Sequence, residues 1–209
     1  MSCINSKKAC FFFTILLVLA GCQMKTEQKL QETSSLEEEE KVFGEEKKTC
    51  MEPIADFKTR ITKKPFGIFI TPQNSPIQPE RFSGYHTGVD VEYADTNEEV
   101  PVMAITDGEV FYSDWVSGYG GVMVIRHDIN NQDYLVLYGH LDPGSLLGVN
   151  TQVLAGEHVA ILGEGESRET DGERKHLHLA IYNDSDLNLK GYVRNETDLR
   201  AWTDPLTLF

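Results

Sequence analysis

Positive charge is what this 209-residue chain has little of: Lys and Arg number 19 against 33 Asp and Glu, a formal net charge of −14. Nucleic-acid phosphates call for a basic footprint, so this balance argues against a nucleic-acid partner. It argues equally against electrostatic docking on anionic lipid headgroups. Long apolar runs are also missing; the one at Cys10 to Leu19 is too short for a bilayer, which takes about 20 residues. Cysteine is scarce, with four residues and no C-x-x-C pair, which argues against a structural zinc site built on thiolates. The acidic run Glu37 to Glu40 lacks the spaced Asp, Asn and Gly of a calcium loop. From Phe57 onward no helical period stands out, which argues against a helical domain.

The N-terminus has the order of a targeting segment. Lys7 and Lys8 precede the apolar stretch, which ends in Leu19-Ala20-Gly21-Cys22. Residues 1–21 therefore read as a signal peptide. The last four residues resemble the lipobox of bacterial lipoproteins, which implies cleavage before Cys22 and acylation of its thiol and amine. Several acyl chains hold a protein at a membrane where one chain does so only marginally. The expected location is the cell envelope. In a two-membrane organism that is the periplasmic face of the outer membrane, to which Gln23 after the cysteine points. In a one-membrane organism it is the outer face of the cytoplasmic membrane. Cys3 and Cys10 leave with the signal, so the domain has no internal disulfide, and Cys50 is a thiol or part of an intermolecular bridge.

Residues 22–56, rich in Glu, Lys, Gln, Ser and Thr, read as an acidic flexible linker that buries too little apolar surface to order itself. Such a chain of about 30 residues has an r.m.s. span of roughly 30 Å. Residues 57–209 read as one domain. Short β-branched and apolar segments recur at Val102–Ile105, Val110–Tyr112, Val122–His127, Tyr134–Tyr138, Val159–Leu162 and His176–Tyr182, separated by turn residues. This spacing predicts an all-β, mainly antiparallel sandwich or barrel-like sheet. Asp107-Gly108 and Asn130-Asn131 are the expected hairpin turns. Near the C-terminus, Trp202 and Leu206 are expected to dock on the sheet.

The most informative stretch is Lys175-His176-Leu177-His178-Leu179-Ala180-Ile181-Tyr182. As a strand it sends His176 and His178 to one face and Leu177 and Leu179 to the other, with the two histidine Cα atoms about 6.5–7 Å apart. Paired imidazoles suit a metal, proton transfer, or both. Upstream, His86 and Asp90 stand four residues apart in Gly84-Tyr85-His86-Thr87-Gly88-Val89-Asp90, and Tyr138-Gly139-His140-Leu141 carries a lone His before Leu.

H-x3-D, then His-Leu, then H-x-H, in that order, resembles the lysostaphin-type (LytM-like) zinc endopeptidases. The resemblance implies a duplicated-hybrid-motif fold, mainly antiparallel and with a cleft. It implies one Zn2+ per chain on His86, Asp90 and His178, leaving a position open for water. His140 and His176 are then the catalytic histidines, one moving protons and the other holding the oxyanion; which does which is open. The implied substrate is the peptide part of bacterial peptidoglycan. LytM-like domains that instead activate a separate cell-wall amidase form the alternative; they lack metal ligands, and here all three are present. His127 and His158 look like a strand end and a turn. The charged stretch Gly165 to Lys175 departs from the small residues usual before H-x-H, and Arg174 and Lys175 are the cations expected to bind a substrate carboxylate.

Overall fold

The computed structural model describes residues 50–209; the signal peptide, Cys22 and the linker up to residue 49 lie outside the described residues. Twelve strands follow in order: β1 (Phe69–Ile70), β2 (Gly84–His86), β3 (Gly88–Glu92), β4 (Pro101–Met103), β5 (Gly108–Val116), β6 (Gly120–Asp128), β7 (Asp133–Leu141), β8 (Gln152–Val153), β9 (His158–Ile161), β10 (His176–Tyr182), β11 (Tyr192–Val193) and β12 (Trp202–Thr203). The one α-helical segment among the described residues is Glu196–Leu199. The architecture is nearly all antiparallel β, as predicted.

The main sheet has the order β12-β10-β7-β6-β5-β8, with β3 pairing β10. Leu179 of β10 lies opposite Val89 of β3 on one edge and Tyr138 of β7 on the other, so β10 is an interior strand where it carries its histidines. A second sheet joins β1, β2 and β11, and β4 pairs β9.

The β6–β7 hairpin forms at the predicted turn. Asn130 and Asn131 both take positive φ (56° and 62°), and Ile129 and Gln132 exchange backbone bonds across them. Asn tolerates this conformation better than most residues, and two positive φ values match the right-handed twist of the flanking strands. The hairpin expected at Asp107-Gly108 does not form: β4 pairs β9 while β5 pairs β6 and β8. Neither Asp107 nor Gly108 has the positive φ that a two-residue hairpin of that type requires.

Alternation on β10 separates two packed faces. Leu177, Leu179 and Ile181 join Val89, Val91, Ile125, Val136 and Tyr138 in the larger core. Ala180 lies on the other face with Val122, Val124, Leu137 and Trp202. His176 and His178 share the face of Ala180.

The folded part starts earlier than the predicted boundary at residue 57. Cys50 and Ile54 are buried in the larger core. The Met51 N–H donates to Ile105 O, and the Met103 N–H donates to Pro53 O. A few apolar side chains within a charged window were enough to fix these residues to the domain. Trp202 docks as expected and pairs Tyr182 across β10–β12, but Leu206 is exposed. Phe209 packs on Phe57 instead, with ring centroids 4.8 Å apart.

Close backbone approach ties β3 to β10. A Cβ built on Gly88 would lie 2.3 Å from Leu179 O. Gly88→Ala is therefore expected to cost about 1–3 kcal/mol through overpacking, read as a fall of several degrees in the thermal midpoint. An unchanged midpoint would contradict this packing.

Candidate metal centre and flanking histidines

The β3–β10 ladder sets Asp90 directly opposite His178. Strand β2 brings in His86, whose backbone N–H donates to Ile68 O. Three side-chain atoms converge: His86 Nε2 lies 3.1 Å from His178 Nδ1, His178 Nδ1 lies 3.0 Å from Asp90 Oδ1, and His86 Nε2 lies 3.2 Å from Asp90 Oδ1. All three residues are buried. His86 Nδ1 is 3.2 Å from Pro65 O. A carbonyl only accepts, so Nδ1 carries the hydrogen and Nε2 keeps its lone pair for the centre.

Tetrahedral zinc with bonds of about 2.0–2.1 Å puts adjacent ligand atoms about 3.3–3.4 Å apart. The observed triangle is within a few tenths of an ångström of that, so the residues fit a zinc-sized ion. Burial pushes the Asp90 carboxyl up, but the neighbouring His86, His176 and His178 rings outweigh it and hold it well below the carboxylate range. Burial lowers His178, keeping a neutral ligand.

His176 is buried one step along the same face. Its Nδ1 donates to Arg174 O at 2.8 Å, leaving Nε2 3.5 Å from Asp90 Oδ2. His140 arrives by another route. Strict alternation along β7 would send it to the core side with Tyr138. Between the pairs Gly121↔Leu141 and Val122↔Gly139 the register slips, and His140 has φ +62°. This bulge, with His where glycine is the easier choice, turns the side chain to the site face. The His140 and His176 rings then lie 4.1 Å apart. Burial lowers the His140 pKa to about 3 and pulls His176 well below its usual value, so both rings are neutral near pH 7.

Asp90, His140, His176 and His178 line one cleft of about 310 Å³, together with Tyr119, Tyr192, Phe82 and Lys64. Tyr119 Oη and His140 Nδ1 are buried there with no hydrogen-bond partner among the described residues. Gly139 leaves room for the Tyr119 ring, since a Cβ would stand 2.7 Å from its Cδ1. Lys64 is buried in the wall, 2.6 Å from Glu80 Oε2, and donates to Tyr192 Oη at 3.0 Å.

The two cations expected to bind substrate are otherwise engaged. Arg174 lines the cleft, but Nη2 donates to Asp90 Oδ2 (2.8 Å) and Glu92 Oε1 (2.7 Å). Lys175 is buried, does not line the cleft, and donates to Glu98 O at 2.8 Å. Sequence order alone put them next to the histidines; strand alternation turns Lys175 away. Sequence reasoning also missed Glu92, although its place two residues after Asp90 puts both on one face of β3. Tyr119 and Tyr192 carried no local signal. His127 is a core histidine, with Nδ1 3.0 Å from Asp107 O and Nε2 3.1 Å from Tyr138 Oη, and it lies outside the cleft.

The antiparallel β scaffold thus carries a two-histidine, one-carboxylate cluster that could hold a metal ion, beside a second pair of histidines. The chain belongs to peptidase family M23, whose profile matches residues 84–189, just over half of its length. It is 39% identical over 67 residues to the murein hydrolase activator EnvC of Escherichia coli, covering 32% of this chain and 15% of that one. It is 36% identical over 100 residues to endolysin 2638A of Staphylococcus phage 2638A, covering 47% and 19%. The matched segments are thus less than a fifth of either relative. The catalytic domain of lysostaphin from Staphylococcus simulans aligns over 75% of this chain and 97% of its own, at 21% identity and a TM-score of 0.49.

Lys175→Ala is expected to lower stability by about 1.5–3 kcal/mol, the worth of a hydrogen bond from a charged group, here to Glu98 O. Metal content of the folded variant, read by elemental analysis, should equal that of the unsubstituted chain. Metal lost in proportion would place Lys175 in the site.

Proposed function

We propose that this chain is a zinc-dependent endopeptidase hydrolysing peptide bonds of bacterial peptidoglycan. The triangle of His86 Nε2, Asp90 Oδ1 and His178 Nδ1, with sides of 3.0–3.2 Å and two neutral imidazoles alongside, carries the reading. The similarity to a phage endolysin and to a murein hydrolase activator supports a cell-wall substrate.

His86, Asp90 and His178 would hold the ion. When bound, it supplies a Lewis acid for a peptide carbonyl and acidifies water. His176 Nδ1 is committed to Arg174 O, so Nε2 is its proton-accepting atom, and Asp90 Oδ2 at 3.5 Å offsets the charge gained. At a ring separation of 4.1 Å in a buried site, His140 and His176 cannot both be cations. One proton therefore moves within or through the pair. His140 Nδ1, buried and without a partner among the described residues, is available to a substrate oxygen or the leaving amine.

EnvC's similarity favours a second reading, a non-catalytic activator of a separate cell-wall amidase. Incubating the chain with purified cell walls separates the two. The peptidase reading predicts new peptide termini, loss of activity with a chelator and recovery with zinc. Activation of an added amidase without cleavage by the chain itself would establish the second reading. His178→Ala should emerge zinc-poor and inactive. His176→Ala and His140→Ala should keep zinc and lose roughly 10²–10⁴ in kcat. Zinc lost from His176→Ala but kept in His178→Ala would reverse the assignment.

For the N-terminal segment, we propose lipidation at Cys22 and residence at the cell envelope, supported by Leu19-Ala20-Gly21-Cys22. Cys22→Ala should move the protein to the soluble fraction or leave it unprocessed. Wild-type fractionation and migration would refute the anchor.

A further inference from the structure

Asp90 has two oxygens, and the candidate centre draws on one. Oδ1 stands 3.2 Å from His86 Nε2 and 3.0 Å from His178 Nδ1. Oδ2 accepts from Arg174 Nη2 at 2.8 Å. The same guanidinium is clamped on Glu92: Nη2 reaches Oε1 at 2.7 Å, and Nε lies 3.1 Å from Oε1 and 2.9 Å from Oε2. The Arg174 and Glu92 side chains are 11% and 10% exposed. Through its backbone, Arg174 also accepts the His176 Nδ1 hydrogen. One residue thus touches a metal-ligand candidate with its side chain and a flanking histidine with its carbonyl.

We propose that Arg174, locked by Glu92, is a positioning residue of the metal centre: it holds Asp90 as a one-oxygen ligand and thereby sets the affinity for zinc. This rests on the zinc reading above. A carboxylate free to rotate can offer a metal either oxygen or both; with Oδ2 tied to Arg174, Oδ1 is the one offered. Hydrogen bonds to ligating groups commonly fix them in this way. An arginine alone would also place a positive charge beside the ion's seat. Glu92 cancels that charge, so the pair orients Asp90 at little electrostatic cost. The arrangement needs a planar fork, which Lys cannot supply. It also accounts for an arginine in a stretch whose cations were expected to bind substrate.

Zinc dissociation constants of the full chain and its variants, measured by competition with a chromophoric chelator, test the clamp. Thermal unfolding in excess chelator should be followed in parallel, so that lost folding is told apart from lost affinity. Arg174→Gln is expected to weaken zinc binding about 10–100-fold. Glu92→Gln should shift it the same way, and Arg174→Lys should not restore the wild-type value. The double variant R174Q/E92Q should be little worse than R174Q, because the two side chains act as a unit. Folded R174Q with a zinc constant within about twofold of wild type, far short of the roughly 10–100-fold loss typical of such partners, overturns the proposal; so does a change confined to the thermal midpoint. Should R174Q not fold, E92Q and R174K decide, and wild-type affinity in both overturns it. An unsubstituted chain that takes up no zinc overturns the metal reading itself, and the clamp with it.

Discussion

The pairing of Asp90 with His178 across β3 and β10 is the constraint on which the rest of the site depends. Because side chains alternate with a period of two, a slip of one residue would send Asp90 into the core and Val89 or Val91 to the site. The register is held by apolar burial on the other face: Val89, Val91, Leu177 and Leu179 are all fully buried. The hydrophobic core therefore sets the geometry of the candidate ligands. Gly88 lets the two backbones approach closely enough for that pairing.

Burial then shapes the chemistry. His86, Asp90, His140, His176 and His178 are all withdrawn from water. For isolated groups this would favour neutral forms throughout. His140, His176 and His178 follow that rule. Asp90 does not, since His86, His176, His178 and Arg174 all favour its charge. The result is a fixed negative charge beside imidazole nitrogens, a donor set that suits a divalent cation such as zinc. Glu92 completes it by neutralising Arg174, so the far side of Asp90 carries an ion pair in place of a free cation.

Local periodicity made the strand face of His176 and His178 legible, and two positive-φ asparagines made the β6–β7 turn legible. Residues whose role depends on distant partners were harder to read. Arg174 meets Asp90 and Glu92 from 84 and 82 residues away, and nothing in its neighbours indicates carboxylates. His140 was found by its motif, but its bulge was not, because alternation along β7 points it the wrong way. Composition hides where the folded part starts, because Cys50 and Ile54 stand among charged neighbours yet are buried in the core. Leu206 is exposed where docking is expected, and Phe209 packs on Phe57 of the core.

Anomalous diffraction at the zinc edge, from crystals of the protein grown with zinc, tests the central claim most directly. The account predicts one anomalous peak per chain, within about 2.0–2.2 Å of His86 Nε2, Asp90 Oδ1 and His178 Nδ1, with His140 and His176 beyond bonding distance. A peak seated on His140 and His176, or no peak between β2, β3 and β10, would contradict it.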